Sequence, residues 1–370
     1  GRVTAVTDPM GGKTVQTYDG VGNVTSVTDP MVLTTSYTYN SNNAVETVTD
    51  ANGGVVSYTY DANGWVSTIT DANGGVTSYG YDAVGNMTAL TDAEGHTANY
   101  EYDLLGRLVS TTDANGNVWK YEYDAEGNMT LEADPMSYAS SRTYDAAGRV
   151  VSETDKNGNT WSYTYDADGN RLTSTDPMGN TTTYTYDALG QVTSTTSPMG
   201  NKTSQTYDAM GRVTSTTDPM GHTITMLYDD LGRVVGTIDA LGKTASRTYD
   251  ANSNLLSVTD EKGNTISYTY DADNRLTSVT DAMGNITTYE YDAVGNVIAA
   301  TDALGGVTAQ TFDANGNLTS VTDAEGNVTR YTYDLDNRCT SITDPNGGVI
   351  RAEYDANDNI TKVTDAEGNE

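Results

Sequence analysis

The sequence predicts an all-β protein: tandem 21-residue repeats forming a continuous antiparallel β-meander that spirals into a superhelix or tube. Three observations predict it: two unbroken dipeptide ladders, a turn signature closing each half-repeat, and strand-forming segments between the turns. Tyr-Asp recurs at Tyr18-Asp19, Tyr60-Asp61, Tyr81-Asp82, Tyr102-Asp103, Tyr165-Asp166 and Tyr186-Asp187, and onward to Tyr354-Asp355. Seventeen slots fit this spacing, with Asn40 once in the Asp place and Phe312 once in the Tyr place. A second ladder runs from Thr7-Asp8 to Thr364-Asp365 with the same period. Such self-similarity makes a chain a stack of small units sharing one core. We therefore read residues 1–370 as a single array of about 17 repeats, a segment of a longer chain.

The turns come first. Each Asp is followed by segments such as Asp176-Pro177-Met-Gly179, Asp82-Ala-Val-Gly85 and Asp187-Ala-Leu-Gly190. Asp first, Pro second and Gly fourth fit a type I turn followed by a left-handed residue, a common three-residue hairpin loop. All seven prolines occupy the second position, where a fixed φ is required. Where Gly is replaced in the Tyr-Asp turns, the residues are Asn43, Ser253, Asn274, Asn337 and Asp358, mostly types that tolerate positive φ. Val32 and Ser137 fit poorly, and their two loops are expected to be irregular.

The strands follow. Segments such as Val24-Thr-Ser-Val-Thr28 and Thr181-Thr-Thr-Tyr-Thr-Tyr186 are rich in strand formers. Tyrosines two apart, as at Tyr37/Tyr39 and Tyr163/Tyr165, share a face and form a stripe along the sheet. An odd period would send successive pairs to opposite faces if every loop held three residues. A bulge or an even-length loop is therefore required once per repeat. Leu172 stands one place beyond the usual apolar slot, which predicts a local register adjustment there. A parallel β-solenoid with one 21-residue coil per repeat is the alternative fold.

Composition narrows the function. Lys plus Arg number 19 against 51 Asp plus Glu, for a net charge of −32. That balance opposes nucleic acid and anionic membranes, and no apolar run approaches a membrane span. Cys339 is the only cysteine, so neither an internal disulfide nor a multi-Cys metal site is available, and its slot elsewhere holds Val, Leu or Ile.

No catalytic, cofactor-binding or metal residues stand out, and no enzymatic activity is expected. His96 and His222 follow a turn Gly without evident partners and read as turn variation. Calcium is a weak possibility, because the Asp-rich loops lack the 12-residue pattern with its distal Glu. The recurring Asn-x-Thr sequons are generated by the repeat. The tyrosine stripe could stack on sugars but more often packs a sheet face, and Phe312 implies that packing, not the hydroxyl, matters at that slot.

Tyr144-Asp-Ala-Ala-Gly-Arg-Val150 and Tyr207-Asp-Ala-Met-Gly-Arg-Val213, set in the array just described, resemble the YD repeat. That repeat is shared by Rhs proteins, the C components of insecticidal Tc toxins, and teneurins. The resemblance covers the whole chain. It implies an antiparallel meander spiralling into a hollow shell that often encloses a toxic C-terminal domain. The chain departs from complete shells in lacking plug and cap segments, a self-cleaving terminal core and a toxin.

The expected function is a non-enzymatic structural scaffold: the wall of an extracellular or cell-surface fibre, stalk or tube. The alternatives are part of a shell encapsulating a C-terminal toxin, and an adhesion or glycan-binding module. The expected partners are further repeats or a second copy at open sheet edges, with toxin cargo or glycan as the others. Nucleic acid and membrane insertion are not expected.

Overall fold

The computed structural model describes residues 2–370 and contains strands and turns alone among them. Thirty-five strands run from β1 (Ala5–Thr7) to β35 (Ile360–Thr364). After β1, six-residue strands such as β4 (Thr34–Tyr39) alternate with five-residue strands such as β5 (Val45–Thr49). Every strand pairs antiparallel with its sequence neighbours, as β3 (Val24–Thr28) does with β4 and β4 with β5. The parallel solenoid is therefore replaced by the meander, because each tight loop returns the chain beside the strand it has just left.

Both turns of the repeat have one geometry. In the Tyr-Asp turn, the Asp61 N–H donates to the Trp65 carbonyl at 2.9 Å and the Gly64 N–H to the Asp61 carbonyl at 3.1 Å. In the other turn, Asp176 and Asn180, then Gly179 and Asp176, are joined the same way at 3.0 and 2.9 Å. The fourth residue is left-handed, with φ 98° at Gly85, 85° at Gly179 and 77° at Gly190. Val32 (φ 67°) and Ser137 (φ 65°) adopt the same conformation, and each keeps the turn's hydrogen bond. The expected irregular loops are thus regular but strained: the flanking ladders impose the turn on residues that disfavour it.

With all loops alike, a bulge absorbs the odd residue. Tyr39 lies opposite Val45 while Thr38 lies opposite Thr47, leaving Glu46 unpaired. The same shift recurs at Tyr60, Tyr165 and every other Tyr-Asp turn. It keeps successive tyrosines on one face. Leu172 needs no adjustment, because Tyr165 faces Arg171 in the standard register. Leu172 takes the unpaired bulge place, and the Arg171 guanidinium lies 5.4 and 5.3 Å from the Tyr163 and Tyr184 ring centroids.

The two faces differ. Tyrosines of the Tyr-Asp ladder are half-buried, while the Thr one place earlier is exposed. On the Thr face, hydroxyls cluster at the bulge: Thr206 contacts Thr214 at 2.8 Å and Ser215 at 2.6 Å. No apolar side chain is fully buried among the described residues. The sheet has no second layer, so cohesion rests on strand-to-strand bonds and on contacts repeated between neighbouring units.

The sheet also coils back on itself. The Asn73 N–H donates to Asn315 Oδ1, and the Asn115 N–H to Asn357 Oδ1, each across 242 residues. That separation is eleven and a half repeats, or 23 strands. At about 4.8 Å per strand the circumference is about 110 Å and the diameter about 35 Å from backbone to backbone. One and a half coils of a hollow tube result, the edge of one coil seated on the opposite edge of the next.

Candidate functional site

The chemistry of this surface is organised by the turn aspartates. Asp61 Oδ1 accepts the N–H groups of Asn63 and Trp65, both at 2.9 Å. Asp82, Asp166 and Asp176 do the same, and their Oδ2 atoms accept the amide of the Asn four residues on, at 2.8–2.9 Å. Those side-chain bonds, with the backbone N–H groups, hold these three carboxyls below the usual carboxylate range. The turn never draws on the N–H of its second residue, which is why Pro177 fits there.

The tyrosines tie each repeat to the one before. Tyr60, Tyr102, Tyr165 and Tyr186 donate their hydroxyls to the carbonyls of Val45, Met87, Val150 and Arg171, fifteen residues earlier, at 2.6–2.9 Å. Tyr18 reaches Val3 at 2.6 Å. Tyr81 instead packs against Trp65, with ring centroids 5.4 Å apart. The hydroxyl is therefore used along the array, and Phe312 is a local loss of that bond, not a sign that packing alone matters. Most of these acceptors are the first residue of a five-residue strand, just before the bulge.

Arginines after the turn Gly were not recognised as linkers from sequence. Arg107 donates from Nε to Asp103 Oδ2 at 2.7 Å and from a terminal nitrogen to the Asp124 carbonyl at 3.0 Å. Its guanidinium lies 4.8 Å from the Tyr123 ring centroid. Arg149, Arg212, Arg233, Arg275 and Arg338 repeat this bridge. Asp19, which has Asn23 in the arginine place, is bonded by that amide instead.

The seam between coils is the one site that the repeat alone does not generate. Asn315 Nδ2 donates to Asp71 Oδ2 at 2.9 Å, Asn252 to Asp8 at 3.1 Å, and Asn357 to Asp113 at 2.6 Å. Asn115 returns the bond to Asp355 at 3.0 Å, giving a reciprocal clasp. Gly75 permits close approach, since a Cβ there would lie 2.7 Å from the Leu335 carbonyl oxygen. Two rungs differ. Asp273 faces Asp29, and Asp336 faces Asp92, carboxylate against carboxylate. Burial, and then the opposing charge, push the Asp273 and Asp336 carboxyls up.

Both histidines have partners, contrary to the sequence reading. His96 Nδ1 lies 3.1 Å from Asp92 Oδ2 and His222 Nδ1 lies 2.8 Å from Asp218 Oδ2. Cys339 is half-buried in its strand, and its carbonyl accepts the Tyr354 hydroxyl at 2.7 Å. Surface grooves recur with the repeat. The groove lined by Asp82, Tyr100 and Tyr102 has counterparts at Asp166, Tyr184 and Tyr186 and at Asp250, Tyr268 and Tyr270. None is distinguished as a catalytic pocket.

The comparisons agree with this geometry. The RHS Repeat family model matches residues 1–97, 228–307 and 312–370 in overlapping copies, and the Teneurin YD-shell model matches residues 88–230. No curated protein sequence matches significantly. Among solved structures, the chain is similar to TcdB2-TccC3 without its hypervariable C-terminal region, at 17% identity and a TM-score of 0.79. That match covers 96% of this chain and 22% of the other. The Photorhabdus luminescens Tc holotoxin pore matches at 16% identity and a TM-score of 0.55, covering 96% of this chain and 24% of that one. The chain thus spans about a quarter of the structures it resembles. With matched repeats over more than half its length and the ladder, bulge and coil just described, the chain belongs to the RHS-repeat family of structural YD repeats.

Proposed function

We propose that this chain is a wall segment of a hollow, non-enzymatic shell or tube, deployed at or beyond the cell surface. The observation that carries the reading is the seam: residues 242 apart are clasped together, so the meander encloses a bore and is not a flat ribbon. Strict repetition supports it, since the grooves and ladders recur without one copy set apart for chemistry.

The free rims support association with more of the same wall. At the third turn position, seam residues include Asn52, Asn73, Asn115, Asn252, Asn315 and Asn357. On the free rims that position includes, beside polar residues such as Asn63, Glu126, Asn157 and Glu325, Met178, Met199, Met220 and Leu304 at one end and Leu105, Leu189, Met210 and Leu231 at the other, all largely exposed. Further coils, from a continuing chain or a second copy, would cover them.

Enclosure of a cargo is the second reading, favoured by the bore and by the likeness to Tc-toxin structures. Electron microscopy of the purified chain tests the first: hollow rings or short cylinders about 35 Å across support a wall, and extended ribbons contradict it. Protease protection of a passenger fused after Glu370 tests the second, where full digestion removes the cargo reading alone. Recovery of the native chain solely from cytosol would remove the extracellular placement.

A further inference from the structure

One rung of the seam breaks the amide pattern at several positions. In the neighbouring clasp, Asp71-Ala-Asn73 meets Asp313-Ala-Asn315, and amides satisfy the carboxylates across the coils. In the next, Asp92-Ala-Glu94 meets Asp334-Leu-Asp336, so both clasp asparagines are acids. Each acid accepts one backbone N–H from the other coil: Ala93 donates to Asp336 Oδ1 at 2.9 Å, and Leu335 to Glu94 Oε1 at 3.0 Å.

That leaves Asp336 Oδ2 fully buried with no hydrogen-bond partner. The whole Asp336 side chain is only 12% exposed. Arg338 makes a 3.7 Å ion pair with this oxygen, but its hydrogen bonds go to Asp334, Asp358 and the Asp355 carbonyl, at 2.8, 2.7 and 3.3 Å. A buried carboxylate oxygen that receives no hydrogen bond and faces another carboxylate is costly, and one guanidinium shared with Asp334 and Asp358 offsets only part of that cost, leaving room for a closer cation or a proton. The same rung carries His96 where the equivalent place holds Gly75 or Asn117. One ligand atom each from Asp92, His96 and Asp336 lies within 4.8 Å of the other two.

We propose that Asp92, His96 and Asp336 form a divalent-metal site that bridges successive coils. One imidazole nitrogen and two carboxylate oxygens suit zinc or a similar transition ion, with water completing the shell. Asp92 and His96 come from one turn and Asp336 from a turn 242 residues further on, so the ion would pin the tube closed at this rung. His222 makes a control within the same chain. It has the matching pair with Asp218, but it lies on a free rim with no third ligand among the described residues.

The test is zinc chloride titrated by calorimetry into chelator-treated full chain, with bound metal counted after dialysis. The expected result is one zinc per chain and a higher melting temperature with zinc. Asp336→Asn recreates the amide rung of Asn315, and His96→Asn installs a residue used elsewhere at that place, so both should fold. Each should weaken zinc binding at least tenfold and abolish the melting shift. His222→Asn and Asp273→Asn should leave both unchanged. Absence of stoichiometric zinc, or equal binding in Asp336→Asn and His96→Asn, would overturn the site.

Discussion

Asn315 reaches Asp71 across 244 residues, its Nδ2 donating to the carboxylate at 2.9 Å. This bond joins strands that a flat meander would hold about 110 Å apart. Removing both amides of the clasp, Asn73→Ala with Asn315→Ala, should loosen the seam and leave each hairpin intact. Hydrogen exchange should rise at the turns 71–75 and 313–317 while the bulge hydrogen bonds stay protected. Equal protection in the variant would mean the clasp contributes nothing.

Gly75 tests the same contact by bulk. A methyl group there would press on the Leu335 carbonyl, so Gly75→Ala should separate this rung. Gly74, whose added Cβ meets nothing within 4 Å, would be strained for a different reason, its φ of 94°. Seam-specific exchange at residues 335–336 in Gly75→Ala, absent in Gly74→Ala, distinguishes the two.

The tyrosine hydroxyls predict a pair of opposite effects. Tyr144→Phe removes the 2.6 Å bond to the Met129 carbonyl and should cost about 0.5–1.5 kcal/mol. Phe312→Tyr should add the missing bond to the Val297 carbonyl and raise the melting temperature. Denaturant midpoints measure both, and a destabilising Phe312→Tyr would contradict this role for the hydroxyl.

Val32 offers a stabilising change. It holds φ 67° in a turn where Gly is usual, and left-handed backbone costs a β-branched residue about 1–2 kcal/mol. Val32→Gly should stabilise the array by about 1 kcal/mol, less the added freedom of the unfolded chain. A lower melting temperature would show the strain to be absent.

Acid should unfold the array. The turn carboxyls of Asp82, Asp145, Asp166 and Asp176 lie below their ordinary value of 3.8, chiefly through side-chain bonds from Asn86, Arg149, Asn170 and Asn180. Asp355 is lowered to about 2 by Asn359 and local N–H groups. A depressed folded value contributes stability above the unfolded value, and that stability is lost as pH falls through the folded one. Melting temperature should therefore hold from pH 7 to about 4 and drop steeply toward pH 2. Asp273, whose carboxyl is raised, works weakly the other way. A flat profile down to pH 2 would contradict the turn-aspartate account.

Much of the fold was legible because the repeat states it many times. Asp, Pro and Gly at fixed offsets specify the turn, and Tyr two apart specify a face. The bulge was demanded by parity, but its place at Glu46 and its equivalents depends on hydrogen bonding that no residue type announces. Val32 and Leu172 misled for one reason: neighbouring ladders hold a deviant repeat in register, so one unsuitable side chain strains the structure without altering it. The arginine bridges were visible as Arg in place of Asn, as at Arg107 and Arg149, but the residue type alone names no partner one repeat away.

The seam was hidden because curvature accumulates over 23 strands. Its trace in the sequence is Asn or Asp at five of the six third turn positions from Asn252 to Asn357, Val294 being the exception, where Leu105, Leu189 and Leu231 stand in earlier repeats. Asn and Asp predominate at these covered turns, although Met10, Met31 and Val294 also lie at the seam, while Leu and Met stand at many open-rim turns. Only the clasp with the opposite coil explains the seam half of that pattern.

The most direct test is one distance. Spin labels on Val76→Cys and Thr311→Cys, exposed strand residues flanking the 71–75 and 313–317 turns, would be read with Cys339→Val removing the native thiol. A coiled tube predicts a narrow distribution below about 30 Å, whereas an uncoiled meander would place the labels about 110 Å apart. The longer separation, or no resolvable dipolar coupling, would contradict the coil.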